Sequence, residues 1–125
     1  MSGYLIVALG AAIGGALRHG VNVGSARLLG IDFPFGTLIV NVAGSLAMGV
    51  LAGYFAFRGD ASQSWRLFLT TGILGGFTTF SAFSLDVAML YERGEVVLSL
   101  AYVAGSVGLS ITALFAGLWI VRSLT

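Results

Sequence analysis

The chain has no cysteine and no lysine, one proline, and few charges: six arginines, five acids and one histidine in 125 residues. Without cysteine there is no disulfide framework, thiol chemistry or thiolate metal site. Charged residues make up 9%, far below the roughly 25% of soluble domains. A soluble fold of this length would have to bury almost all of an apolar content of 58%, which its surface-to-volume ratio forbids. The net charge of +1 and the lack of a basic patch say nothing in favour of nucleic acid, and no such partner is expected. His19 is the only histidine and has no ligand cluster around it, so a metal site built on it is not expected. No nucleophile–base pair stands out, and the glycine-rich stretch lacks the lysine of a phosphate loop, which argues against an enzyme. The N-terminus runs straight into an apolar segment without a basic region or cleavage site, so no signal peptide is expected.

What is present is long apolar sequence. Four segments can be read, at about 4–29, 34–57, 65–91 and 96–121, with Pro34 suited to a first helical turn. Each is roughly 24–27 residues, or about 36–40 Å as helix, enough to cross a hydrocarbon core of about 30 Å with room for tilt or a break. The connections, 30–33, 58–64 and 92–95, are too short for a soluble domain. The expected fold is an all-α membrane protein, one transmembrane domain over 1–125 with four spans. Arg58, Arg66 and Arg122 fall on one side and Arg27 and Arg93 on the other, which is close to no positive-inside signal. Two readings stay open on charge alone: orientation by the N-terminus or a partner, and dual topology with antiparallel pairing.

The third segment carries the unusual stretch, Gly72 to Ser84. Three glycines, two threonines, two serines and three phenylalanines stand where a plain membrane helix would carry Leu and Val. Paired glycines before Thr78-Thr79 predict a break near the centre of the third helix. Unwound backbone at membrane depth is tolerated only inside protein or along a wet cavity, and transport proteins use such breaks to hold ions. Phe80 and Phe83, three apart, share a face. Small-xxx-small pairs at Gly10/Gly14, Gly20/Gly24, Gly49/Gly53 and Gly72/Gly76 predict close helix packing and a symmetric dimer.

Polar residues inside the spans narrow the chemistry, because they are costly in lipid. Thr37, Asn41 and Ser45 form one stripe on the second span; Ser99, Tyr102, Ser106 and Ser110 form another on the fourth. Asn41 brings two N–H donors, for an ion or for a neighbouring helix. Each serine alone can be packing, bonding its own i−4 carbonyl. Arg18 lies deep in the first span, and Asp86 follows the break, near the far end of the third. An amide, hydroxyls, the positive edges of Phe80 and Phe83 and one arginine, with no carboxylate ring, suit a small anion. The glycine-rich break could separately offer carbonyl oxygens to a cation.

Gly75-Gly76-Phe77-Thr78-Thr79-Phe80-Ser81-Ala82-Phe83-Ser84 resembles the motif of the Fluc (CrcB) family of fluoride channels. The likeness extends to Gly14-Gly15-Ala16-Leu17-Arg18 and to the second span from Gly36 to Ser45, so it covers essentially the whole chain. The resemblance implies an antiparallel, dual-topology homodimer in the cell (inner or plasma) membrane. It implies two pores and passive export of cytoplasmic fluoride, and hence fluoride resistance. It also implies a structural sodium ion at the dimer interface, held by the backbone carbonyls of Gly75 and Thr78 from each copy. Phe80 and Phe83 match the pore phenylalanines, Asn41 the pore asparagine and Arg18 the first-span arginine. Ser81, Tyr102, Ser106 and Thr112 complete the pathway it implies. One departure is Ala82, where the family commonly has Thr or Ser.

Two alternatives belong to other classes. A small multidrug-type proton-coupled antiporter has similar length and topology but needs a buried carboxylate in the first span, where this chain has Arg18. A non-conducting subunit of a membrane complex would leave the polar stripes without a purpose.

Overall fold

The computed structural model describes residues 2–57 and 62–124. Within them every regular element is a helix: α1 (Gly3–Leu29), α2 (Phe35–Phe57), α3 (Gln63–Arg66), a π-helical stretch (Leu67–Leu74), α4 (Gly75–Phe77), α5 (Phe80–Glu92) and α6 (Val96–Leu124). Four segments, Gly3–Leu29, Phe35–Phe57, Gln63–Glu92 and Val96–Leu124, are long and apolar enough to cross a bilayer. They lie over the four apolar runs, with ends displaced by three residues at most.

Local chemistry explains the ends. The Ser2 hydroxyl accepts the Leu5 N–H at 3.2 Å and starts α1; Gly30, at φ 86°, stops it. Both are the usual capping solutions for orphan backbone groups. Pro34 stands just ahead of α2 rather than in its first turn, and its carbonyl accepts the Leu38 N–H at 3.3 Å. Ser62 caps α3 through the Trp65 N–H. Gly94, at φ 82°, turns the chain between α5 and α6. Residues 58–61, with Arg58 of the orientation argument, lie outside the described residues.

The π-helical stretch has no counterpart in the sequence reading. Its bonds span five residues instead of four, as where the Gly75 N–H reaches the Thr70 carbonyl. Such stretches are rare and tend to sit at functional sites. This one feeds directly into α4.

Packing is by backbone contact. Gly10 and Gly14 of α1 face Gly72 and Gly76 of the third span. A Cβ on Gly14 would collide with the Ile73 carbonyl oxygen, and one on Gly76 would lie 2.6 Å from the Ala11 carbonyl oxygen. On the other side of the bundle α2 lies along α6. There a Cβ on Gly49 would collide with the Leu114 carbonyl, and one on Gly117 would sit 2.7 Å from the Val50 nitrogen. Helices in lipid gain attraction mainly from such close approach. Gly20 and Gly24, the remaining pair on α1, meet nothing within 4 Å. A small core of Phe83, Leu90 and Tyr102, with Phe33, Leu38, Val87, Leu98 and Val103 around it, ties α5 and α6 to the start of α2.

These contacts predict a contrast. Gly14→Ala destabilises the protein by about 1–3 kcal/mol through overpacking. Gly20→Ala is neutral or gains up to about 1 kcal/mol of helix propensity. Melting curves of the two purified variants in detergent test this, and equal melting points would refute the contact assignment.

Candidate functional site

The site is built on two residues that leave the helix. Thr78 (φ −87°, ψ 158°) and Thr79 (φ −153°, ψ 122°) are extended, between the end of α4 and the start of α5. In an uninterrupted helix the Thr79 N–H would bond the Gly75 carbonyl. It donates instead to Asn41 Oδ1 at 2.8 Å, while Asn41 Nδ2 donates to the Thr79 carbonyl at 3.0 Å. The Phe80 N–H would bond the Gly76 carbonyl, which here accepts Arg18 Nε–H at 3.1 Å. The Ala82 N–H would bond the Thr78 carbonyl, but it donates to Thr79 Oγ1 at 3.1 Å and so caps α5. Thr78 holds its place through its own N–H and hydroxyl, both donated to the Leu74 carbonyl at 3.0 and 2.9 Å. The carbonyls of Gly75 and Thr78 have thus lost their helical donors to Asn41 and Thr79. They are neutral, hard oxygen donors, which suit a hard cation better than a soft one.

Beside this gap lies an open cleft of about 350 Å³. Asn41 and Ser45 line it from α2, Ser106 and Ser110 from α6, Gly75 from the start of α4 and Thr78 from the gap. Phe80 and Phe83 form one wall, with ring centroids 5.7 Å apart at 50°. No carboxylate is among the lining residues. One donor of Asn41 is spent on Thr79, which leaves the other Nδ2–H of its amide. Ser106 is 5% exposed, and its buried hydroxyl has no hydrogen-bond partner among the described residues. Buried hydroxyls are almost always bonded, so an unpartnered one in the lining of the cleft stands out.

Tyr102 is placed differently. It is 1% exposed, packs its ring 5.2 Å from Phe83 and 5.4 Å from Phe33, and donates its hydroxyl to Asp86 Oδ2 at 3.1 Å. Asp86 opens into a second cleft of about 320 Å³, shared with Asn22, Asp32, Thr37 and Arg93, at the end of the bundle where α1 meets α2. Tyr102 therefore stands between the two clefts, and its O–H is committed to the second. Asp86, expected near water at the end of its span, is half-buried there.

The remaining sequence candidates are scattered. Arg18 is on the Gly76 carbonyl. Ser81 is exposed, its hydroxyl 3.3 Å from that of Thr79. Thr112 is exposed and outside the first cleft, whereas Ser110, two residues earlier, lines it. His19 is exposed, and Ser99 is bonded to the Val87 carbonyl. Ser45 and Ser110 are cleft residues that the site reading left out. The four-residue spacing of their stripes was the signal that could have found them.

The sequence profile of the CrcB-like proteins (Camphor Resistance, CrcB) matches residues 5–118. A protein of Nitrobacter hamburgensis named Fluoride-specific ion channel FluC 2 is 59% identical over 122 residues, 98% of each chain. Proteins of Rhodopseudomonas palustris and Methylobacterium nodulans, both named Fluoride-specific ion channel FluC, are 60% and 58% identical over the same length, again 98% of each chain. The relatives are named as ion channels and not as enzymes. With its four apolar spans, its Thr78–Thr79 gap and this similarity along nearly all of its length, the protein belongs to the CrcB family.

Proposed function

We propose that this chain is a fluoride-selective channel that lets cytoplasmic fluoride leave the cell passively. The observation that carries the reading is the first cleft: free of carboxylates, and lined by Ser106, whose buried hydroxyl is unpartnered among the described residues, by Asn41 with a spare N–H, and by the rings of Phe80 and Phe83. The printed names of the relatives support the same ion.

Fluoride holds its water tightly, so a path must replace hydration with donors at each step. Asn41, Ser106, Ser110 and Ser45 supply N–H and O–H groups, and the two phenylalanines supply positive ring edges. Larger anions fit the donors less well. Ser81, Tyr102, Thr112 and Arg18 stay in the reading as the residues the family likeness points to.

The functional unit in this reading is an antiparallel, dual-topology homodimer in the inner or plasma membrane, with two pores. Two copies would bring together four carbonyls from Gly75 and Thr78. The lost helical donors of both groups support a sodium ion there, as a structural link between the subunits. The broken third helix is the device that serves both ions, with carbonyls for the cation and the start of α5 for the anion. An antiporter is less well supported: α1 holds no acid, and the intramembrane acid Asp86 is bonded to Tyr102.

Purified protein in liposomes, read with a fluoride electrode, tests the proposal. Fluoride leaves rapidly and chloride is retained. Phe80→Ile removes a ring edge, and Asn41→Asp faces the Thr79 carbonyl with a second acceptor and adds negative charge; each lowers fluoride flux at least about tenfold. A folded wild-type protein that releases no fluoride would instead favour the non-conducting subunit. A second pair separates pathway from packing. Ser106→Ala lowers flux several-fold, whereas Ser99→Ala, whose hydroxyl serves the Val87 carbonyl, leaves flux per folded protein unchanged.

A further inference from the structure

Arg18 sits midway along α1 and half-buried, where the sequence reading gives it the part of a fixed positive charge for an anion. Its one hydrogen bond among the described residues goes elsewhere. Nε–H donates to the Gly76 carbonyl at 3.1 Å, across the backbone contact of α1 with the third span. Gly76 lies directly after Gly75 and two residues before Thr78, and like theirs its carbonyl has lost its helical donor. Gly75 and Thr78 line the first cleft, and Gly76 does not.

We infer that Arg18 is a positioning residue for the cation site. By holding the Gly76 carbonyl toward α1, it keeps the neighbouring peptide units turned so that Gly75 and Thr78 present theirs to the cleft. This rests on the sodium part of the channel reading. The hydrogen bond, and not the charge, is the operative feature, since a positive charge near a cation opposes binding. A guanidinium suits the task because its planar fork is ordered with little further loss of freedom, and a charge-assisted bond to a carbonyl is stronger than a neutral one.

Side-chain length makes the inference testable. The amide nitrogen of Gln lies the same number of bonds from Cα as Arg Nε, so Arg18→Gln keeps a donor in place and removes the charge. Arg18→Met keeps the length without a donor. Arg18→Lys keeps the charge but carries its nitrogen one bond further out. Full-length variants are titrated with sodium chloride against N-methylglucamine chloride. The readout is the sodium concentration at half-maximal thermal stabilisation, with fluoride efflux measured beside it.

Arg18→Met raises the sodium midpoint at least about tenfold, the scale of a lost charged hydrogen bond. Arg18→Gln stays within about threefold of wild type or binds sodium more tightly. A Met variant that folds only at high sodium is the same result in stronger form. Either of two outcomes overturns the inference: an unchanged midpoint in Arg18→Met, or a Lys variant that matches wild type while Gln falls with Met. Should Met not fold at all, the Gln–Lys comparison decides. A wild type indifferent to sodium also overturns it. A wild type that is sodium-stabilised yet releases no fluoride defeats the channel reading and leaves the assignment of Arg18 standing.

Discussion

A peptide group that leaves a helix inside a bilayer finds no water to take its place, at a cost of several kcal/mol for each unpaired group. The pair of hydrogen bonds between the Asn41 amide and the backbone of Thr79 meets that constraint. A carboxamide offers an acceptor and a donor side by side, as a neighbouring strand would. Asn41 thus acts as a one-residue strand partner to an extended Thr79. Thr79 completes the arrangement by capping α5 with its own hydroxyl. Arg18, Asn41, Thr78 and Thr79 are each tied to an identifiable backbone group, so the gap is a specified structure and not a fray.

That arrangement needs helices nearly in contact. Arg18 reaches Gly76 because Gly14 lets α1 lie against the Ile73 carbonyl. Glycine inside a helix costs about 0.5–1 kcal/mol relative to alanine. The cost is offset by close packing and by the bonds it allows to the Gly76 and Thr79 backbone. On the opposite side Gly49 and Gly117 bring α6 against α2, which sets Ser106 and Ser110 across from Asn41 and Ser45. The glycine contacts therefore set the width of the first cleft.

The two clefts differ in charge. The first is lined by Ser and Thr residues, Asn41 and two phenylalanines; the second carries Asp32, Asp86 and Arg93. Tyr102 stands between them, packed on Phe83 of the first and bonded to Asp86 of the second. Within one chain the first cleft remains open, and Phe80 is 78% exposed. An apolar ring left so bare beside donor groups fits the proposed pairing of two copies, which would close the cleft over the path.

Much of this was legible in the order of residues. Composition and run length determine four apolar helices, because nothing else that long and that poor in charge can be stable in a bilayer. Gly75-Gly76 before Thr78-Thr79 marked the place where the helix gives way, and the four-residue stripes marked the faces of α2 and α6 that meet. The π-helical stretch left no mark, since a one-residue widening of the turn has no signature in hydropathy. Nor could the sequence separate two uses of one residue type. Ser106 and Ser99 lie on the same stripe, yet one hydroxyl is unpartnered and the other bonds Val87. Arg18, Asn41 and Tyr102 were legible as polar residues at membrane depth, but their partners were not. Gly76, Thr79 and Asp86 come within reach only through helix packing, and a hydrogen bond is decided by distances that no spacing along one helix encodes.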